Sequence, residues 1–366
     1  MKLRELVNPH IRDLAPYVPG KPVEELEREL GIASAVKLAS NESPIGPSRR
    51  AVEAIFAAAE NLNRYPDDSC FALRDALAKH LCIRTDQLCF AGGSDGILEL
   101  LAKCFLAPGD EALFPWPSFA MYPIMTKGAG ATPVQVPLDP EYRADVGALL
   151  RAVTPKTRLL VLANPNNPTG TSIGAAEFER LVRELPERVV LVADEAYLAF
   201  VRRPDFPDSV AALAQRETLV VLRTFSKGHA LAGLRIGYAI ARPELIGYLE
   251  RARHPFIVNS LAQVAAAAAL ADTAHSARIA KLTHEGIAQL ENGLRQLGIR
   301  FAPTDANFLL IEVGQGADAL QGRLERHGVI TRPLGGFGLS THLRVSVGTR
   351  EENERFLAAL AAERKR

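Results

Sequence analysis

Six short runs of almost unbroken apolar residues, each bounded by polar or glycine-rich sequence, constrain this chain more than any other feature. They are Leu88–Phe90, Ala112–Phe114, Leu159–Ala163, Val189–Ala193, Leu219–Leu222 and Ile236–Ile240. A strand with one wet face alternates apolar and polar side chains, and these runs do not, so both of their faces must be covered. Between them, Ile97–Leu106 and Ala175–Leu185 carry apolar residues at helical spacing. The alternation predicts an α/β domain with a mostly parallel sheet covered by helices. Past Pro255 the pattern changes. Helical segments at Ser260–Ala271 and His275–Leu297 precede strand-like Asn307–Glu312 and His342–Val347, and a helix runs from Arg350 onward. The expected division is a large domain over residues 40–255 and a smaller α+β domain built from 1–39 and 256–366.

A chain of 366 residues is too long for one simple core, in keeping with that division. Its 43 basic and 42 acidic residues leave a net charge of +1, with no basic block to neutralise a row of phosphates. A nucleic-acid partner is therefore not expected. The most apolar stretch, Val264–Ala271, is far short of the roughly 20 residues that span a bilayer. Met1–Gly20 lacks the apolar segment of a signal peptide. Cys70, Cys82, Cys89 and Cys104 have neither CxxC spacing nor histidine partners, and the histidines show no HExxH pattern. The expectation is a cytoplasmic protein with reduced thiols, no metal site and no membrane partner.

Ligands of an open α/β sheet collect at the carboxyl ends of its strands. Here Gly92-Gly93-Ser94-Asp95-Gly96 follows one run and leads into a helix. Its small residues let backbone N–H groups approach an anion at a helix N-terminus, although a plain capping turn has the same composition. In Asn164-Pro165-Asn166-Asn167-Pro168-Thr169-Gly170 two prolines pin the backbone around amides, which makes either a donor loop or merely a stiff one. Asp194-Glu195-Ala196-Tyr197 ends the next run. A carboxylate directly after an apolar strand is partly desolvated and needs a cationic partner, such as a protonated ring nitrogen. Tyr197 is placed to bond another edge of the same ligand.

Arg223-Thr224-Phe225-Ser226-Lys227-Gly228 follows the fifth run. Burial and nearby cations lower a lysine's pKa and free its amine for imine formation, while an exposed basic loop is the plainer alternative. Arg235 lies where it can bind a dianion near that lysine. A carboxylate, a phenol, an amide and an imine-forming lysine beside an arginine are together the groups that pyridoxal phosphate requires.

With these residues in this order the chain resembles the fold-type I pyridoxal-phosphate aminotransferases, and among them the histidinol-phosphate aminotransferases. The likeness runs nearly end to end. It includes Asn41-Glu42-Ser43-Pro44, Arg64-Tyr65-Pro66-Asp67, Asn166-Asn167-Pro168-Thr169-Gly170, Asp194-Glu195-Ala196-Tyr197, Ser226-Lys227, Leu231–Arg235, Asp305-Ala306-Asn307-Phe308 and Leu343–Gly348. The resemblance implies an aspartate-aminotransferase-like fold whose large domain binds the cofactor. It gives Lys227 the covalent imine and the proton transfer, Asp194 the ring nitrogen, and Asn167 and Tyr197 the ring's oxygen. Backbone at Ser94 and Asp95, with Thr224, Ser226 and Arg235, would hold the phosphate, and Phe119 would stack on the ring. Tyr65 would reach the neighbouring subunit's phosphate, making a homodimer with shared sites. Arg344 and Arg332 would bind the substrate's anion, since two guanidinium forks suit a dianion better than one. Tyr17 would line the substrate side.

Two positions depart from the pattern. Gly96 stands where many relatives carry an acidic residue, and Gly228-His229 where alanine and an aromatic are commoner. The implied reaction is histidinol phosphate with 2-oxoglutarate giving imidazole-acetol phosphate and glutamate, a step of histidine biosynthesis. A phenylalanine or tyrosine aminotransferase is the nearest rival. A decarboxylase of a phosphorylated amino acid and a non-enzymatic regulator on the same scaffold stand further off.

Overall fold

A computed structural model describes residues 3–16 and 19–364. The strands are β1 (Val36–Lys37), then β2 (Leu88–Ala91), β3 (Glu111–Trp116), β4 (Thr132–Pro137), β5 (Thr157–Ala163), β6 (Val190–Asp194), β7 (Leu219–Thr224) and β8 (Gly237–Ala241). They continue with β9 (Arg300–Phe301), β10 (Phe308–Glu312), β11 (Val329–Ile330), β12 (Arg332–Leu334) and β13 (Leu339–Ser346). All six apolar runs fall in one seven-stranded sheet of order β2-β8-β7-β6-β5-β3-β4. Within it β8 runs antiparallel to both neighbours and every other pair is parallel. The strand not foreseen is β4, an edge strand whose Pro133, Gln135 and Pro137 break the apolar signal. An edge tolerates proline because one side of its backbone forms no ladder.

Alternation along the central strands splits their side chains between two cores. Leu191, Ala193, Leu219 and Val221 join one, with Leu73 and Leu77 of the helix Phe71–Leu81. Val190, Val192, Val220 and Leu222 join the other, with Leu98 and Leu101 of the helix Ser94–Phe105. Each face is dry, which is why no polar alternation was visible. The helix begins at Ser94 rather than Ile97, because its first turn is polar and carries no apolar periodicity.

The boundary read at residue 255 moves. The helix Ser260–Ala271 buries Ala262, Ala265, Ala266 and Ala269 in the same core as Leu73 and Leu77, so it packs with the large sheet. Only from Asp272, which caps the 24-residue helix Thr273–Gln296, does the chain build the second core. There β12-β13-β10-β9 form an antiparallel sheet, and β1 pairs in parallel with β11, which ties the N-terminal segment to this unit. Among the described residues no helix is long and apolar enough to cross a membrane.

Arg216 fixes the approach to β6. Its side chain is fully buried, and it donates to the carbonyls of Val182, Leu185, Pro186 and Val189 at 2.6–3.2 Å. These acceptors close the helix Ala175–Glu184 and the turn before the strand. Arg216→Met removes every one of these donors without opening a large void. It should cost on the order of 3–5 kcal/mol, read as a lower urea midpoint. A loss below about 1 kcal/mol would mean that water replaces the guanidinium.

Candidate active site

At the carboxyl edge of the large sheet, facing the small one, lies a cavity of about 380 Å³. Ser94, Asp95, Phe119, Asn167, Asp194, Tyr197, Thr224, Ser226, Lys227, Arg235, Arg332 and Arg344 all line it. The structure thus brings together every residue given a cofactor or substrate role in the sequence except two. Tyr65 is 82% exposed and stacks on Phe256 at 4.7 Å, outside this cavity. Tyr17 lies outside the described residues.

One end of the cavity is built for an oxyanion. The turn after β2 reaches Gly93 at φ 88°, where a Cβ would lie 2.5 Å from the Arg235 guanidinium. Only glycine lets that side chain lie against the turn. A Cβ on Gly237 would fall 2.4 Å from the Ser94 nitrogen, so β8 can abut the helix start only without one. The first N–H groups of the helix Ser94–Phe105 have no intrahelical acceptor. They face the same space as the Thr224 and Ser226 hydroxyls, 2.9 Å apart, and as Arg235, which contacts Asp95 at 3.4 Å. Gly96 is close-packed too, its Cβ position 3.0 Å from that of Ala91.

Asp194 closes β6 on the face shared with Val190 and Val192. Tyr122 donates to its Oδ2 at 2.7 Å, and the Ala196 N–H to its Oδ1 at 3.2 Å. Burial outweighs both bonds and pushes the carboxyl up to about 6. Lys227 moves the other way, down to about 8, through burial first and then the positive charge of Arg344. Its Nζ donates to the Asn41 carbonyl at 3.0 Å. Asn41 also donates from Nδ2 to the Tyr197 hydroxyl at 3.0 Å. Asn167 accepts from Arg344 at 2.6 Å through Oδ1, which leaves its Nδ2 to donate elsewhere.

On the opposite wall, β12 and β13 set Arg332 and Arg344 directly across from each other in register. Arg344 is anchored by Asn167 and by the Ala39 carbonyl at 2.6 Å. His229, the other departure, leaves the cavity lining and points Nδ1 at the Ser276 hydroxyl, 3.1 Å away. Among the described residues no cluster of potential metal ligands is present.

Sequence reasoning passed over Tyr122 and Asn41. Tyr122 lies in the first turn of the helix Met121–Gly128 among apolar neighbours and so reads as core, and its bond to Asp194 is visible only in the fold. Asn41 was part of a quoted motif, but its left-handed backbone (φ 53°) and its four-way bonding belong to the fold alone.

This cavity fits pyridoxal phosphate. The oxyanion end suits its phosphate, and the buried Asp194 has only neutral donors where a pyridinium N–H would supply charge. Lys227 carries an amine that is easily uncharged. The profile of the aminotransferase class I and II family matches residues 33–360, and the chain belongs to that family, as a pyridoxal-phosphate-dependent transaminase. Within the family it is similar to histidinol-phosphate aminotransferases. It is 45% identical over 358 residues to histidinol-phosphate aminotransferase 2 of Pseudomonas fluorescens Pf-5, covering 97% of this chain and 96% of that one. The crystal structure of histidinol-phosphate aminotransferase from Sinorhizobium meliloti, in complex with pyridoxal-5′-phosphate, has a TM-score of 0.90 at 30% identity. The match covers 97% of this chain and 96% of that one. A double mutant of Thermus thermophilus aspartate aminotransferase gives 0.84 at 26% identity, covering 97% and 99%, so the fold is aspartate-aminotransferase-like, fold type I.

The raised Asp194 has a consequence for stability. Its folded pKa of about 6 lies above the ordinary value of 3.8, so the cofactor-free fold prefers it protonated. That contribution is fully present below about pH 4 and is lost as pH rises through 6. Asp194→Asn cannot ionise. It should raise the Tm of cofactor-free protein by several degrees at pH 8 and change it little at pH 4. Equal shifts at both pH values would refute the assignment.

Proposed function

We propose that this transaminase moves an amino group between glutamate and imidazole-acetol phosphate, forming histidinol phosphate and 2-oxoglutarate. The reaction runs in histidine biosynthesis in the cytoplasm. The observation that carries this reading is the facing pair Arg332 and Arg344 in the cavity of Lys227. Like charges directly opposite on neighbouring strands repel. A phosphate dianion between them turns that repulsion into two charge-assisted contacts, whereas a carboxylate offsets half as much charge. The 45% identity to a histidinol-phosphate aminotransferase across nearly the whole chain supports the same substrate.

Pyridoxal phosphate, when bound, supplies an electron-accepting ring that stabilises negative charge at the substrate carbon losing its proton. The backbone at Ser94 and Asp95 would hold its phosphate together with Thr224, Ser226 and Arg235, and Phe119 would pack on the ring. Asp194 would keep the ring nitrogen protonated. Asn167 and Tyr197 would donate to the ring oxygen. Lys227 would supply the amine that holds the cofactor and would carry a proton to and from the substrate carbon. A pKa near 8 suits a group that must take and return a proton near neutrality.

Arg332→Ala tests the substrate. It should lower kcat/KM for histidinol phosphate by roughly 10- to 150-fold and for phenylalanine by far less. Equal losses would reduce Arg332 to a support of the fold, and a larger loss for phenylalanine would favour an aromatic amino acid as substrate.

Tyr65 acts across a two-fold axis in this reading, on the neighbouring subunit's cofactor phosphate. Its 82% exposure, beside Phe56 at 73% and Phe71 at 72%, supports a surface that a second copy covers. Tyr65→Phe and Lys227→Ala proteins, each impaired alone, should recover activity when mixed, since a hybrid dimer holds one intact site. No recovery after verified subunit exchange would refute shared sites.

A further inference from the structure

Two consecutive carboxylates stand at the end of β6, and the chemistry proposed above uses only the first. Side chains alternate across a strand. Asp194 turns to the face of Tyr122, so Glu195 turns to the other. There its side chain is 1% exposed, and Arg223 donates to it from Nε at 2.8 Å. The Glu195 N–H donates to the Leu222 carbonyl at 2.9 Å, so the ion pair bridges the seam between the ends of β6 and β7. Arg223 lies opposite Tyr238 on β8. Neither member of the pair lines the cavity.

Stability alone explains such a pair poorly. Desolvation offsets most of the attraction between buried ions, and an apolar pair of similar volume does as well or better. Its location is more telling. Glu195 follows Asp194 directly, and Arg223 precedes Lys227 by four residues on the neighbouring strand. We infer that the Glu195–Arg223 pair is a positioning device for transamination. It ties β6 to β7 so that Asp194 keeps its place relative to Lys227, and its guanidinium cancels the charge that Glu195 would otherwise set beside Asp194. The inference rests on the roles proposed for those two residues.

The remaining charged and titratable neighbours are Tyr122 and Asp95 near Asp194, and Asp208 and Tyr238 near the pair. Arg344, Glu42, Asp95 and Arg235 act on Lys227. Changes confined to the pair leave the groups around Asp194 and Lys227 in place, and Arg223→Gln additionally takes a hydrogen-bond partner from Tyr238. Arg223→Gln strands a negative charge, which stabilises bound protons nearby. Glu195→Gln strands a positive one, which does the reverse. The double substitution strands neither.

The test titrates the visible absorbance of cofactor-loaded enzyme with pH, a readout independent of turnover. Arg223→Gln should raise the midpoint and Glu195→Gln lower it, each by about 0.5–1 pH unit. The double variant should return close to native. In either single variant kcat should fall roughly tenfold with KM nearly unchanged. Arg223→Lys keeps the charge and loses the Nε bond, so it should keep the native midpoint even if the glutamine variants fail to fold. Midpoints that do not move, or that move the same way in both single variants, overturn the inference, and so does a shifted midpoint in Arg223→Lys. Borohydride reduction of native enzyme separates this failure from that of the reading beneath it. A label on Lys227 with unmoved midpoints removes only the pair's role, whereas a label on another lysine removes the role of Lys227 itself.

Discussion

Asp194 ends β6 with its carboxylate shut away from water and a side-chain hydrogen bond from the neutral Tyr122. An isolated charge in such a place is costly, and the group responds by holding its proton to about pH 6. Two ways of relieving that cost exist, protonation or a cation brought from outside. The fold makes the second available, because the oxyanion end and the buried amine of Lys227 share one cavity with this carboxylate. A pyridinium ring anchored by its phosphate would supply the missing charge. The carboxylate is therefore short of a positive partner within the fold, since its hydrogen-bond donors are the neutral Tyr122 hydroxyl and the Ala196 N–H.

The site is not the property of the large sheet alone. Asn41, 2% exposed in a left-handed conformation, joins the two units at Lys227. Its carbonyl accepts from both Lys227 and Asn307, its amide donates to Tyr197, and its N–H and Oδ1 meet the Ser346 hydroxyl of β13. Two residues earlier, the Ala39 carbonyl holds Arg344. The short segment 39–42 thus fixes the lysine, the phenol and the anion-binding wall to one another. A shift of the small sheet cannot leave Lys227 unaffected.

Legibility from sequence followed the physics of each feature. Strands buried on both faces announce themselves as unbroken apolar runs, and all six were readable for that reason. β4 was not, because Pro133, Gln135 and Pro137 interrupt its apolar residues and most of its side chains are not buried. The side chains at strand ends were readable as a set, since a charged or amide group directly after an apolar strand is costly to bury unless something binds it. Tyr122 and Asn41 were not. A tyrosine on an apolar helix face looks like core, and an asparagine that bonds through its backbone as much as its side chain leaves no compositional trace. The domain boundary failed for a related reason. An alanine-rich helix such as Ser260–Ala271 has no strong apolar face to say which core it joins, and only its packing against the helices of the large sheet decides.

Charge links the two ends of the cavity. Burial lowers Lys227 most, and the next contribution is the positive charge of Arg344. Arg344 is also one of the two guanidiniums facing each other across β12 and β13. An anion seated there offsets that charge and removes part of what keeps the lysine deprotonated. On the roles proposed for these residues, binding the substrate's phosphate would raise the proton affinity of the amine that next accepts the substrate's proton. A substrate without an anionic group would then find the same lysine a weaker base. Substrate selection and base strength would in this way be one electrostatic property of the cavity.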